Sequence, residues 1–371
     1  MKVLYCIHSM INRGGTERIL SVKANALAAD YGYEVVVVTS HQEGKPLSFP
    51  LCSAVRHIDI GIDFYRHHLR RAFARAYEQL LMQEKPDICI SLSNDDLYML
   101  PAFKDGSIKL AEYHFSYERY YQEKSGLWGR LRAWNKNRKL RCAAAKMARF
   151  VLLTKADEAR WKLPNSAQIY NPAYLDNQGL TANLESRHLV ALGRLEAQKD
   201  FSQAIQAWEI VAKKHPDYVL DIYGEGSQRP LLEQLIQEKH LEGKVVLHPA
   251  TQDVAGVLAQ SCGLVMCSRF EGFPMTLVES LRFGLPMIAY DCPQGPAEII
   301  ENGKNGFLVP QGHWELLADA VISLIEHPDL RETLQQNALQ TAQRFSMQHI
   351  MNQWDQLFKE LYESKKNSGQ S

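Results

Sequence analysis

Short apolar runs alternate along the whole chain with longer stretches whose apolar residues recur at helical spacing. Residues 3–7 form a compact apolar run, and Ile19, Leu20, Val22, Ala26 and Leu27 then continue at helical spacing. The Glu34–Thr39 stretch, Glu-Val-Val-Val-Val-Thr, predicts a strand buried on both faces, because an unbroken β-branched run leaves no polar side for water. Residues 87–92, Ile108–Tyr113 and residues 150–153 repeat the pattern with helices between. Strand and helix in alternation predict a parallel sheet covered on both faces, a Rossmann-like first half.

Between residues 163 and 187 the periodicity breaks up, with Pro164, Asn165, Asn171-Pro172, Asn177-Gln178-Gly179 and Asn183 in quick succession. Turn-forming residues at that density predict a linker. His188–Leu192 then starts a new strand, and Phe201, Ile205, Trp208 and Val211 set a helix that Asp200 or Ser202 could cap. Residues 218–223 run into Gly224-Glu225-Gly226. Val245–His248, residues 263–267, residues 286–290 and Gly306–Val309 complete a second parallel sheet. No short-period repeat is evident. The tail from 345 to 361 is amphipathic through Ile350, Trp354, Leu357, Phe358 and Leu361, and Lys365-Lys366-Asn367-Ser368-Gly369 is expected to fray. The predicted organisation is α/β throughout: a first Rossmann-like domain over 1–165, a linker over 166–187, a second Rossmann-like domain over 188–344, and a C-terminal helix with a frayed tail over 345–371.

A length of 371 residues suits two domains rather than one core, and 46% hydrophobic with 23% charged residues is a soluble globular composition. Formal charge is zero but uneven. Residues 1–165 hold 26 Lys and Arg against 17 Asp and Glu, a net of +9, and the remainder carries −9. Seven scattered cysteines without a Cys-x-x-Cys pair predict a reducing compartment, the cytosol, and argue against a disulfide framework or a zinc site. No apolar run reaches bilayer length, and residues 1–8 lead into Gly14-Gly15 as a strand rather than as a signal peptide. Residues 119–149 hold ten Lys or Arg against one acid, interleaved with Tyr120, Tyr121, Trp128 and Trp134. That composition fits a basic aromatic face for an anionic membrane surface or an anionic lipid-linked acceptor, or a solvated helix with snorkelling side chains. Nothing resembles a nucleic-acid-binding module.

The candidate chemistry centres on residues 271–279, Glu-Gly-Phe-Pro-Met-Thr-Leu-Val-Glu. Pro274 suits a first helical turn, where its missing N–H costs nothing, and the amides of Met275 and Thr276 then point back into the loop as an anion site. Glu271 falls in the loop and Glu279 about a turn into the helix. The alternative is a pair of solvated acids on an amphipathic helix. Ligands of doubly wound sheets sit outside the carboxyl ends of the strands, and Arg194, Lys199, Gly224-Glu225-Gly226 and Glu271 to Glu279 all fall there. Arg194 and Lys199 could each give a phosphate a charged hydrogen bond of about 1.5–3 kcal/mol, with Glu279 placed to accept from ribose hydroxyls. Gly14-Gly15 opens another helix after the first strand, a turn that also occurs for packing reasons alone.

With Gly193-Arg194-Leu195 and Lys199, the Glu-x7-Glu of Glu271 and Glu279, and the run from Asp291-Cys292-Pro293-Gln294-Gly295-Pro296 to Asn302-Gly303-Lys304-Asn305-Gly306, the sequence resembles the retaining glycosyltransferases usually numbered family four, of bacterial cell-surface polysaccharide type. The resemblance spans essentially the whole chain and implies the GT-B architecture of two facing Rossmann-like domains. It implies that Arg194 and Lys199 bind the donor diphosphate, that Glu271 with Gly272, Phe273, Pro274, Met275 and Thr276 holds the donor sugar, and that Glu279 binds the ribose. It also implies that Gly14 and Gly15 lie beside the phosphates, that His114 approaches the donor sugar from the first domain, and that the last helix crosses back to that domain. His114 could equally be an ordinary histidine at a strand end.

Electrostatic stabilisation of the departing diphosphate by Arg194, Lys199 and helix dipoles would need no metal. The absence of any Asp-x-Asp agrees with that expectation. Retention by front-face attack rests on the resemblance, and residues 163–187 with the crossing tail are the expected hinge for closure. The expected partners are a nucleotide sugar, with UDP favoured by family prevalence, a glycan or lipid-linked acceptor such as a lipopolysaccharide or capsule precursor, and an anionic membrane surface at the inner face of the cell membrane. No cofactor is expected. Alternatives are a UDP-N-acetylglucosamine 2-epimerase-like enzyme or a non-catalytic nucleotide-sugar-binding subunit. A dehydrogenase is disfavoured because neither glycine turn completes Gly-x-Gly-x-x-Gly.

Overall fold

The apolar runs become strands because each is long enough to cross a sheet and too short and β-rich for a helix. In the computed structural model, which describes residues 1–92, 96–122 and 126–368, they form two all-parallel sheets. The chain divides into two units, Met1–Pro172 with Met347–Ser371, and Ala173–Ser346.

The first unit contains β1 (Lys2–Ile7), β2 (Glu34–Thr39), β3 (Val55–Asp59), β4 (Ile88–Ser91), β5 (Ile108–Tyr113), β6 (Arg149–Leu152) and β7 (Ser166–Gln168), in the order β3-β2-β1-β4-β5-β6-β7. Its helices are α1 (Gly15–Ala29), α2 (Arg70–Glu84), α3 (Arg119–Gln122), α4 (Leu127–Ala144) and α5 (Lys155–Trp161). Val35 to Val38 are all fully buried, as a central strand requires. Leu4, Val36, Phe73, Tyr77, Phe150 and Trp161 belong to one continuous core. Thr154 caps α5 by accepting from the Asp157 amide.

The second unit contains β8 (His188–Leu192), β9 (Val219–Tyr223), β10 (Val245–His248), β11 (Gly263–Met266), β12 (Met287–Tyr290) and β13 (Gly306–Val309), in the order β10-β9-β8-β11-β12-β13. Its helices are α6 (Phe201–Lys214), α7 (Arg229–Glu238), α8 (Val254–Ala259), α9 (Met275–Arg282), α10 (Pro296–Ile299), α11 (Trp314–Glu326) and α12 (Pro328–Ala342). The last helix, α13 (Met347–Ser368), belongs to the first unit. Its Ile350, Met351, Trp354 and Phe358 are buried, and Tyr33 Oη donates to Asp355 Oδ1 at 2.7 Å.

Several sequence expectations change. β3 and β7 carry no apolar run, since Val-Arg-His-Ile-Asp and Ser-Ala-Gln are held as outer strands by backbone pairing to β2 and β6. Residues 166–168 are therefore strand rather than linker. Residues 177–183 are also fixed: Asn177 Nδ2 donates to the Arg282 carbonyl at 2.9 Å, and the Ala182 amide to that of Phe283 at 2.7 Å. Lys365 to Ser368 continue α13 instead of fraying, with cations in the last turn where the helix dipole favours them. Gly369 of the expected frayed tail, and Glu123 to Ser125 of the basic stretch, lie outside the described residues.

Beneath the carboxyl ends of β1 and β4, Asp96 is fully buried and accepts from Ser91 Oγ at 2.7 Å. Burial pushes its carboxyl up to about 7, against hydrogen bonds from Ser91 and Cys6. A raised folded-state pKa means that the native protein binds the extra proton, so this group's contribution to stability is present below 3.8 and is lost as pH rises to about 7. Asp96→Asn is expected to flatten that part of the profile, by on the order of a few kcal/mol, in urea unfolding measured across the same pH range.

Candidate active site

In the second unit the strand order reverses between β8 and β11, and in an open parallel sheet the crevice outside the carboxyl ends of such a pair is where ligands bind. The loop after β8 is anchored at its root. The Gly193 amide donates to the Tyr223 carbonyl at 3.1 Å and the Leu195 amide to that of Glu225 at 2.8 Å, and Leu195 is fully buried. Gly224 makes this possible, because a Cβ there would collide with the Gly193 carbonyl. Glu196 ties the same two turns together, accepting from the Ser227 amide at 3.0 Å and hydroxyl at 2.9 Å.

The loop after β11 is stitched to the loop after β8. Gln198 Nε2 donates to the Phe270 carbonyl at 3.0 Å, the Arg269 amide to the Gln198 carbonyl at 2.8 Å, and Arg269 Nε to Asp200 Oδ2 at 2.7 Å. These bonds bring Lys199 Nζ to 2.7 Å from Glu271 Oε1. Glu271 is only 6% exposed, a depth at which an unpaired carboxylate is costly, and Lys199 supplies the opposite charge. The Cys292 thiol beside them is pushed up to about 12, by burial first and then by the negative Glu271.

Pro274 stands at the N-cap of α9, so the amides of Met275 and Thr276 are the first two of the helix and have no intrahelical acceptor. The turn before α10 packs on Pro274: Gly295 has φ +120°, and a Cβ there would run into the proline ring. Gly272 is half-buried, and Phe273 is buried with its ring 6.0 Å from that of Phe345. Glu279 lies on the second turn of α9, 5% exposed. Arg194 is exposed, with Nη2 3.3 Å from Gln198 Oε1.

In the first unit the order reverses between β1 and β4. Gly14 is the N-cap of α1 and Gly15 its first residue, with the Glu17 carboxylate folded back over Gly14. Burial pushes Glu17 upward, opposed by its backbone hydrogen bond and by His114. His114 follows β5, its Nε2 3.1 Å from Glu112 Oε1. The basic stretch forms α4 with an unusual inner face of small residues, Gly129, Ala133 and Asn137 beside Leu140. Its large apolar side chains face water instead: Leu127 and Trp128 are 82% and 77% exposed, and Leu131 and Trp134 about half. Arg70, Arg71, Ala74, Tyr98, Met99 and Lys139 line a groove of about 490 Å³ whose walls are largely apolar. Among the described residues no helix is long and apolar enough to cross a membrane, and no three His, Cys, Asp or Glu side chains are grouped to hold a metal ion.

Residues 176–341 match the family of glycosyl transferases group 1. That match lies within the second unit. An uncharacterized glycosyltransferase of Haemophilus influenzae is 27% identical over 372 residues, covering 95% of this chain and 98% of its own. The amylovoran biosynthesis glycosyltransferase AmsD of Erwinia amylovora is 27% identical over 373 residues, covering 96% and 99%. Among solved structures, Anabaena HepE in complex with UDP-glucose shares the fold at a TM-score of 0.76 and 18% identity, covering 97% of this chain and 100% of that one.

Within the second unit the structure joins Lys199, Glu271 and Pro274, with Met275 and Thr276 behind them, into one cluster on the reversal of strand order. Arg194 shares that loop but is tied to Gln198. Asp200 occupies the N-cap position of α6, yet its carboxylate pairs with Arg269 and Ser202 rather than with a helix amide. Gln198 and Arg269 carry no mark in the sequence as site-builders, because loop-to-loop hydrogen bonds carry no periodic signal; only the adjacency of Gln198 to Lys199 and of Arg269 to Glu271 hinted at them, whereas Gly295 lies within the motif run quoted above. Gly295→Ala would force a Cβ into Pro274 from a left-handed backbone, so it is expected to destabilise the protein by about 1–3 kcal/mol, read as a lower urea midpoint.

Proposed function

We propose that this chain is a retaining, metal-independent glycosyltransferase of family four. It moves a hexose or N-acetylhexosamine from a nucleotide-diphosphate sugar, a UDP-sugar, to a lipid-linked or surface-glycan acceptor such as a lipopolysaccharide or capsule precursor. The observation that carries this reading is the Lys199–Glu271 pair at 2.7 Å on the switch point of the second sheet, beside the start of α9 and on the loop that bears Arg194. A lysine so held is a fixed cation for a diphosphate, and the glutamate that fixes it is left at the sugar end of the same ligand. The helix amides of Met275 and Thr276 add partial positive charge, and Glu279 receives the ribose hydroxyls.

In the reaction the bond from sugar C1 to the phosphate oxygen breaks and its electron pair stays on the diphosphate. Lys199, Arg194 and the helix start stabilise that charge as it develops, without an added ion. The acceptor hydroxyl forms its bond to C1 on the face the phosphate leaves, and its proton passes to the departing phosphate oxygen. Gly14, Gly15 and His114 are the first unit's contribution to the donor. The full-length similarity to AmsD supports a role in polysaccharide biosynthesis, and the UDP-glucose bound by HepE supports the choice of donor.

For the acceptor, the outward-facing Leu127, Trp128, Leu131 and Trp134 among arginines and lysines suit the inner surface of an anionic membrane. The groove under Arg70, Arg71 and Lys139 combines apolar walls with cations, the chemistry of a lipid phosphate. Vesicles containing anionic lipid are expected to float the protein, and charge reversal at Arg130, Arg132 and Arg138 to release it. Flotation that is absent, or unchanged by the reversal, removes the membrane part of this reading.

A panel of nucleotide sugars assayed for slow hydrolysis tests the donor, with turnover expected for a UDP-sugar. Arg194→Ala, at an exposed side chain, is expected to leave the unfolding midpoint in place and to lower kcat/KM by roughly 10- to 150-fold, the loss of one charged hydrogen bond. Glu279→Ala is expected chiefly to raise the donor KM, and an unchanged KM removes its ribose role.

A further inference from the structure

Lys23, on the inner side of α1, is the most deeply buried ammonium in the first unit's site region, and its side chain and that of Glu112 are each 1% exposed. Nζ donates to Glu112 Oε2 at 2.6 Å and stands 3.6 Å over the Trp354 ring of α13 and 5.8 Å from that of Tyr5. The other carboxylate oxygen, Oε1, lies 3.1 Å from His114 Nε2. That contact is at ion-pair distance and not aligned as a hydrogen bond, so it is the attraction of the carboxylate that acts on Nε2. Alternate residues of an extended chain share a face, which is why Glu112 and His114 meet.

Burying an ion pair seldom adds stability over apolar residues of the same volume, so the pair is poorly explained as a fold stabiliser. It does provide a fixed anion under one nitrogen of His114. We propose that Glu112 is a positioning residue: clamped by Lys23 beneath Trp354, it holds His114 in the tautomer with the proton on Nε2, leaving Nδ1 as the accepting nitrogen. A glutamate or carbonyl behind an imidazole commonly sets which nitrogen is free. The inference deepens the reading of His114 as the first unit's group at the donor sugar and rests on it for its catalytic consequence. The charged groups about the ring are Glu112 from β5, Lys23 and Glu17 from α1. α13 joins the relay through Trp354, so its docking bears on the site without touching a substrate.

The test is carried out on the full chain with 15N-labelled histidine, the His114 signals being assigned by their loss in His114→Gln. In the wild-type protein without donor, the Nε2–H tautomer is expected to dominate; a dominant Nδ1–H tautomer overturns the proposal. Paired variants then avoid stranding a buried charge. Lys23→Met with Glu112→Leu is expected to shift the tautomer and lower kcat by roughly 10- to 100-fold, with the donor KM changed little. Lys23→Met with Glu112→Gln, whose amide oxygen still accepts from Nε2–H, is expected to restore both. An unaltered kcat once the tautomer has moved also overturns it. The spectrum needs no donor, so if no nucleotide sugar is turned over while the wild-type tautomer is Nε2–H, it is the glycosyltransferase reading that fails.

Discussion

One constraint governs the second unit: two loops that leave neighbouring strands at the reversal of order must sit within hydrogen-bond reach of each other. The Lys199–Glu271 pair is the chemical expression of that constraint. Its geometry depends on Gly224 letting the turn after β9 lie against Gly193, on Gln198 reaching the Phe270 carbonyl, and on Arg269 reaching Asp200. The site therefore rests on backbone spacing first and on charges second. A misplaced loop would leave a buried glutamate without its counter-ion, a cost of several kcal/mol, so native packing and site assembly are coupled.

The sheets were legible because a strand buried on both faces must be apolar throughout, and the chain contains few other apolar runs of that length. Ile108–Tyr113 and Gly306–Val309 carry their strand bounds in the sequence itself. β3 and β7 were not legible, because outer strands need only backbone pairing and their side chains are free to be polar. The division between the units falls inside the expected linker, after Pro172, but that its residues 177–183 are held in place was not legible, for a related reason. Asn and Gly mark turns, but whether a turn is loose or pinned depends on partners far along the chain, such as Phe283 for Ala182.

In the candidate site, residue types and their spacing pointed to Lys199 and Glu271, since a strand followed by a helix fixes where the intervening loop lies. What spacing cannot give is pairing. Lys199 and Glu271 are separated by more than seventy positions, and only the parallel register of β8 with β11 brings their loops together. The helix α4 shows the opposite failure. Its composition gave the basic and aromatic content, yet its inner face is built from Gly129 and Ala133, so the large apolar residues that ordinarily signal a core contact point to solvent.

Two buried carboxylates of the first unit show how environment rather than depth decides a charge. Asp96, with hydroxyl and thiol partners, is pushed up to about 7 by burial. Burial acts on Glu112 as well, but Lys23 and His114 beside it override the effect and hold it at about 2. Glu112 thus adds stability above 4.5 that is lost as pH falls towards about 2, the reverse of Asp96. Lys23 is itself pushed down by burial, against the attraction of Glu112, so the two partners pull in opposite senses. The net gain from the pair is smaller than the carboxylate alone suggests. A pair of small net stability that nonetheless fixes an anion beneath a histidine is explained more simply by what it orients than by what it stabilises.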